Sequence, residues 1–399
     1  MLFRLAAALL VALPVSAFAQ DPEPPIRPSS ASEAQGIAPE PDIITRAVLF
    51  ADRQLGKGDL TNGIYLDYTS MIPGAGWASV GPGYRHWYHK DSLFLDGSAS
   101  ISVNNYRVAQ GRVELPTLLK SRVTLGVQAR YQDFDNVDFF GAGPNSSAGL
   151  KTDYAIRSTQ AAAYLTLRPL RWMALDTQVG WMNPDTRFVR GSVLQGFSDQ
   201  RTFVPVEASL TIDTRDFPNH PTRGLMLRGA GSRYEDRTDG TFTFTRYQAE
   251  AAGFAPIAGG RIVLGIHGWA VRSDTEAGHA VPFYLQPSLG GVNTLRSYTD
   301  YRFHDDHMLL ATAEVRVALM THLDVAVFAD AGNVASEMRD LNLDKQSFGA
   351  GFRLHTRRFT FATLDAANGD EGWQVLFRLV DPLALGHLNR KTTVVPFVP

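Results

Sequence analysis

The chain has 399 residues, with 38 basic against 40 acidic side chains, a formal net charge of −2 and no cysteine. A near-neutral balance without a basic tract argues against a nucleic-acid partner, and the absence of thiols excludes disulfides and thiolate metal sites. This length admits either two or three soluble domains or one large barrel.

The chain opens with MLFRLAAALLVALPVSAFAQ, which reads as a secretory signal peptide over residues 1–19. Arg4 supplies the positive start, Leu5 to Val15 a short apolar core, and Ala17-Phe18-Ala19 the cleavage site. That core is too short to anchor the chain, and no later segment offers the ~20 apolar residues of a spanning helix. The exported chain is therefore either soluble or a β-barrel, whose strands need only ~9–11 residues each. Residues 20–60 form an N-terminal segment. Within it, Gln20 to Pro41 is dominated by proline, serine, alanine and glutamate and reads as a disordered periplasmic lead-in. Ile43 to Leu55 reads as a short helix or as an early plug element.

From Thr61 the pattern is period-two. In FVPVEASLTID, Val204, Val206, Ala208, Leu210 and Ile212 share one face, while Glu207, Ser209, Thr211 and Asp213 share the other. LLATAEVRVAL, LDVAVFADAG and GWQVLFRLV alternate in the same way. Strands are expected near 62–70, 77–88, 92–103, 106–115, 122–131, 153–168, 172–182 and 202–213. Further strands are expected near 224–235, 242–255, 261–272, 308–319, 322–331, 346–355, 359–366 and 373–380. That makes about sixteen, an even number suited to a bacterial barrel. A soluble sandwich alternates too, but these strands are long for one. Their polar face carries full charges, and aromatics gather near strand ends, as in GYRHWYHKD. Brief connections such as RPLRW and LMTHL alternate with long ones such as DFDNVDFFGAGPNSSAGLKT and NPDTRFVRGSVLQGFSDQ, the rhythm of short periplasmic turns and long outer loops. The expected fold is an all-β transmembrane antiparallel β-barrel over residues 61–380, with a C-terminal periplasmic tail over 381–399.

Three motifs in this region resemble those of the outer-membrane-protein assembly-factor superfamily, also called the bacterial surface antigen family, which includes the BamA and TamA insertases. The first is the strand–turn motif DTRDFPNHPTRG, in which Asp213, Thr214, Arg215, Asp216, Pro221, Thr222, Arg223 and Gly224 match and Asn219-His220 interrupts the usual Asn-Pro pairing. Read alone, it is a polar turn rich in proline and asparagine between two strands. The second is DFFGAGPNSS, Asp138 to Ser147. The third pairs the stretch LGGVNTLRSYTDYRFHDDHML with VFADAGNV.

The resemblance implies that the long loop before the twelfth strand folds back into the lumen and sets an arginine against an aspartate of a neighbouring strand. The matching tip is Leu295-Arg296-Ser297-Tyr298 and the matching strand motif runs from Phe328 through Asp330 to Gly332. Alternation alone also puts Asp330 on the charged face. A pinned loop of this kind braces a wide wet lumen. Ser297 stands where the family has glycine, and if that position needs positive φ, serine is the worse residue there. Asp370-x-Gly372 followed by Val375 and Phe377 is similar to the signal by which the barrel-assembly machinery recognises its clients.

Residues 20–60 are too few for a POTRA domain, which members that insert or secrete proteins usually carry. No G-x-S-x-G elbow is present. HDDH, His304 to His307, is a poor ligand set, because adjacent residues on an extended segment point in opposing directions. The expectation is a non-enzymatic outer-membrane conduit or insertase for protein or lipid, without cofactor or metal. Its expected partners are outer-membrane lipids, the assembly machinery and an unfolded protein or lipid client. The alternatives are a passive structural barrel and a barrel enzyme.

Overall fold

A computed structural model describes residues 36–46, 48, 62–69, 71–76, 78–89, 91–191, 198–379, 383 and 396–397. The expected signal peptide, most of the lead-in and most of the C-terminal tail lie outside these residues. Of Ile43 to Leu55, residues 43–46 and 48 are described and helical.

Nineteen strands form among the described residues. They are β1 (Gly63–Thr69), β2 (Ser79–Tyr88), β3 (Leu93–Ser102), β4 (Arg107–Thr117), β5 (Val123–Phe139), β6 (Thr152–Leu170) and β7 (Met173–Arg190). After β8 (Ser198–Gln200) come β9 (Phe203–Asp213), β10 (Gly224–Asp236), β11 (Phe244–Ile257) and β12 (Ile262–Thr275). The chain then forms β13 (Ser288–Leu289), β14 (Phe303–His304), β15 (His307–Met320), β16 (Leu323–Ala335), β17 (Lys345–His355), β18 (Thr360–Gly369) and β19 (Gly372–Arg378). β13 and β14 pair only with each other, and β8 is a spur on β7. The other sixteen form an antiparallel meander in which each strand pairs with the next, β7 joining β9 and β12 joining β15 across the interruptions.

The two faces of this sheet have inverted chemistry. Ile64, Ile266, Val327, Phe348 and Val375 are exposed on one, whereas Glu314, Asp330, Arg353, Asp365 and Arg378 are buried on the other. A water-soluble sandwich buries its apolar face. A barrel in lipid does the opposite: its outer wall is apolar, its interior is ionised, and every backbone group is satisfied by a neighbouring strand. The fold is thus a transmembrane β-barrel, and the alternation in the sequence dictates it.

Two strands run well past their expected ends: β5 continues to Phe139 and β7 reaches Arg190. The Asp/Asn-rich DFDNVDF therefore forms a strand rather than a loop. Its Phe134, Val137 and Phe139 are buried, and a register shift between Phe134 and Val137 accommodates the change of pattern. Beyond the apolar band the outward face of the ribbon carries ion pairs in line with Leu125, Val127 and Tyr131, such as Arg157 with Asp133 at 3.4 Å.

Glycines let aromatic rings lie flat on the inner wall. Tyr65, Tyr164 and Phe328 each face a glycine directly across the ladder, at Gly83, Gly126 and Gly349. A Cβ on Gly349 would meet Phe328 Cζ at 2.4 Å. Of the segment expected as a periplasmic tail, Leu383 joins a buried cluster with Met226, Phe254 and Val263, and Phe397 joins one with Trp269 and Leu295.

Candidate functional site

The connection between β12 and β15 turns back on itself. β13 and β14 pair as a miniature hairpin, Ser288 opposite His304 and Leu289 opposite Phe303. Its far end closes compactly: Gly291 N–H donates to Tyr298 C=O at 3.0 Å, and Gly290 N–H to Thr294 Oγ1 at 2.8 Å. Gly290 has φ +118°, and a Cβ there would lie 2.3 Å from Thr299 O, so only glycine fits that bend. Leu289, Leu295, Tyr298 and Phe303 then pack on Trp269, Met308, Leu310 and Val334 from the inner faces of β12, β15 and β16.

This packing delivers Arg296, 2% exposed, to the inner wall. Its Nε and Nη2 donate to Asp330 Oδ2 and Oδ1 at 2.9 and 2.8 Å, a bidentate fork. Nη1 donates to Glu314 at 3.4 Å and to Asp365 at 3.3 Å. The guanidinium lies over the Phe328 ring, 3.2 Å from its centroid. Arg353 donates to Glu314 at 2.8 Å and also pairs with Asp365, which accepts from Arg378 Nη2 at 3.2 Å. Three carboxylates thus face three guanidiniums, and none of the six side chains reaches bulk water. Burial disfavours the charge on Arg296, but Asp330, Glu314 and Asp365 outweigh it and hold the guanidinium ionised beyond its ordinary range.

The structure therefore brings Arg296 and Asp330 together, with Leu295, Tyr298, Phe328 and Gly332 around them. Tyr298 OH donates to Asp370 Oδ2 at 3.1 Å; burial and then that carboxylate push its phenol up to about 12. Ser297 is fully buried, and its N–H donates to Ser347 Oγ at 2.8 Å. It is not among the residues with positive φ, so the backbone there makes no demand for glycine.

DFFGAGPNSS packs on the same loop. Gly143 N–H donates to His304 C=O at 2.7 Å, and Arg302 holds Ser146 through Oγ at 2.9 Å and C=O at 2.7 Å. His304 and His307 of HDDH are buried rather than presented to solvent. In the strand–turn motif, Arg215 forks onto Asp213 at 2.9 and 2.8 Å, while Asp216 accepts from the backbone of Phe217, Thr222 and Arg223. Gly224, at φ +105°, starts β10, and a Cβ there would meet Thr214 O at 2.4 Å. Gly372 opens β19, whose Val375 is exposed on the outer face with Phe377 on the same side.

Alternation alone does not single out Glu314, Arg353, Asp365 and Arg378 as partners of Arg296. Each falls on the inner face of its own strand, but their meeting depends on inter-strand register: Thr312 opposite Asp330, Gly351 opposite Asp365, Thr363 opposite Arg378.

A family model described as the Omp85 superfamily domain matches residues 94–378. Among solved structures, BamA from Haemophilus ducreyi, in a form lacking POTRA domains 1–3, matches with a TM-score of 0.63 at 14% identity, over 80% of this chain and 70% of that one. CdiB from Acinetobacter baumannii matches with a TM-score of 0.51 at 14% identity, over 80% of this chain and 59% of that one. CdiB from Escherichia coli gives 0.54 at 15% identity, over 80% and 62%. At these identities the likeness is one of fold, and this chain spans about six tenths of each CdiB chain. No curated protein sequence matches it.

Proposed function

This chain belongs to the Omp85 superfamily of bacterial outer-membrane β-barrels, and on that premise we propose that it is a conduit or insertase for protein or lipid, with a loop pinned in its lumen by Arg296 and Asp330. The observation that carries this reading is the fastening of the loop tip. A flexible loop entering a wide lumen loses chain entropy, and one exposed ion pair, worth ~0–1 kcal/mol, does not offset that loss. A buried bidentate fork, two further carboxylates and an aromatic face do so far better. A loop held this firmly serves a barrel whose bore must stay closed at rest. Such a barrel opens for a client at a weak place in its wall. β1 and β19 are the shortest wall strands, and Ile64 and Val375 on them are 85% and 72% exposed.

Planar-bilayer conductance tests the conduit. Arg296→Ala is expected to raise single-channel conductance above wild type; unchanged conductance in a correctly folded variant overturns the plug. Cysteines at Ile64 and Phe377 test the seam. If a disulfide there leaves insertion of an unfolded barrel protein into liposomes intact, sideways opening between β1 and β19 is ruled out.

A second reading, a structural barrel that keeps the pinned loop without moving a client, draws on the charge balance of the network. Glu314, Asp330 and Asp365 are matched by Arg296, Arg353 and Arg378, so none of these charges is left over for a client. Wild-type protein that neither conducts when unpinned nor inserts a client favours this reading.

A further inference from the structure

Away from the loop network, a second group of buried polar side chains converges at the opposite, short-turn end of the barrel. Residues 214–223, between β9 and β10, fold inward there. Asn219 bridges to Phe359, Thr360 N–H donates to Asn219 C=O at 3.0 Å, and Arg316 Nη2 donates to Pro221 C=O. This seats His220 against Asp324 at the start of β16 and His355 at the end of β17. All three are more than nine-tenths buried. Each offers one donor atom, and the three donors lie within 4.8 Å of one another.

The hydrogen bonding leaves His355 poorly satisfied. Its Nδ1 is 3.0 Å from Thr356 C=O, and a carbonyl only accepts, so Nδ1 carries the ring hydrogen. In the neutral ring Nε2 then holds a bare lone pair. That atom is buried, makes no hydrogen bond, and sits 3.1 Å from Asp324 Oδ1. That contact is repulsive unless Nε2 takes up a proton or a metal ion lies between the two atoms. His220 turns its own Nε2 toward the same carboxylate, 4.0 Å from Oδ2, while its Nδ1 meets Thr360 Oγ1 at 2.9 Å. The two imidazoles stack with centroids 4.0 Å apart, which disfavours charging both. Arg316 Nη1 approaches His220 Nδ1 at 3.4 Å, and because a guanidinium only donates, this contact must yield when Nδ1 takes the ring hydrogen, donates to Thr360 Oγ1 and frees Nε2 for a ligand bond.

We propose that His220, Asp324 and His355 bind one divalent transition-metal ion, with Zn²⁺ the best match to two imidazoles and a carboxylate. The ion fastens the 214–223 turn to the barrel wall, and three protein ligands leave the fourth position to water. Thr356 C=O and Thr360 Oγ1 are the outer groups that orient the rings. Both imidazoles rotate out of their parallel stack on binding, since their lone pairs must converge on one point. This site departs from the sequence-based expectation of no metal, because its ligands lie far apart in the chain and no local spacing announces it. His220 is also the residue that interrupts the Asn-Pro pairing of the turn motif.

The test uses the full mature chain folded in detergent, stripped with chelator and titrated with Zn²⁺, and with Co²⁺ as a spectroscopic probe. The expected result is one ion per chain, a tetrahedral Co²⁺ absorption band and a raised unfolding midpoint. His355→Ala and Asp324→Asn should each weaken binding by at least about tenfold, whereas His86→Ala should leave it unchanged. Heat-modifiable mobility checks folding. If a strand variant does not fold, His220→Asn in the turn replaces it and is expected to show the same loss. Absence of stoichiometric binding to wild type, or undiminished binding in both His220→Asn and His355→Ala, overturns the site. So does a pH-dependent stability that responds to these substitutions without any bound metal, which would assign the cluster to a shared proton.

Discussion

Gly369 on β18 stands so close to the loop tip that a Cβ on it would lie 2.2 Å from Ser297 Oγ. The tip carries serine, and glycine stands opposite it on the wall. A side chain at residue 369 would also meet Gln346 O at 2.7 Å, so it has nowhere to go. Gly369→Val should lift the tip and destabilise the docked loop by ~1–3 kcal/mol, the usual range for overpacking. Limited proteolysis within residues 276–306 reads this directly. Ser297→Gly should keep wild-type resistance, because Ser297 Oγ has no hydrogen-bond partner to lose. A Gly369→Val loop as resistant as wild type would contradict this account of the contact.

Phe328 links the wall to the pin. Its ring lies beneath the Arg296 guanidinium and directly opposite Gly349. Phe328→Leu should lose the cation–π contact, worth about 0.5–2 kcal/mol. Gly349→Ala should clash with the ring. Together the two changes should be somewhat less harmful than their sum, because the smaller side chain relieves the clash with the ring but not the one with Ala366 O, 2.3 Å from the added Cβ. Thermal unfolding of the single and double variants checks this, and strictly additive effects would count against the packing.

Acid should loosen the docked loop through His304. Burial lowers its pKa from 6.5 to about 3, so the folded state favours the neutral ring. The unfolded chain binds the proton more readily, and stability is therefore lost as pH falls below 6.5. Asp300 works the other way. Burial raises it from 3.8 to about 6, so its contribution improves as pH falls through 6 toward 3.8. Between about 6 and 3.8 the two responses oppose each other and largely cancel, so the net loss from this pair falls outside that window. His304→Phe leaves the Asp300 response unopposed, and stability should then rise relative to wild type as pH falls from about 6 to 3.8. Unfolding midpoints across that window decide it; an unchanged slope would sink the assignment.

Burial sets how much each ion pair contributes. The Arg353 side chain is fully buried between Glu314 and Asp365, whereas Arg190, paired with Asp153, is 72% exposed. Removing one partner of a buried group strands the others and costs about 3–5 kcal/mol. An exposed pair is worth only ~0–1 kcal/mol. Arg353→Met should therefore destabilise the barrel far more than Arg190→Met in urea-induced unfolding. Equal effects would mean that water reaches the network.

The barrel is legible in the sequence because its rule is local. Each strand must alternate to meet lipid on one side and charge on the other, so Val204 to Ile212 declares its faces unaided. β5 and β7 extend beyond that rule. Outside the apolar band nothing enforces alternation, and Asp- and Asn-rich residues that read as a loop pair with their neighbours instead. The loop contact is partly legible: the match of Arg296 and Asp330 to a family motif names two of the six charged residues in the network. The other four depend on register, which single strands do not encode. The turn around His220 is hidden for the same reason. Its partners Asp324 and His355 come from strands that meet it only once the sheet has curled.

The central claim, that the Arg296–Asp330 contact holds the loop in the lumen, is tested most directly by a double-mutant cycle. Unfolding free energies are measured for wild type, Arg296→Ala, Asp330→Ala and the double variant, all in the same detergent. The account predicts non-additivity of ~1–3 kcal/mol, with the double variant less damaged than the sum of the singles. Additivity to within ~0.3 kcal/mol would show that the two side chains act independently, and would contradict the pinned loop.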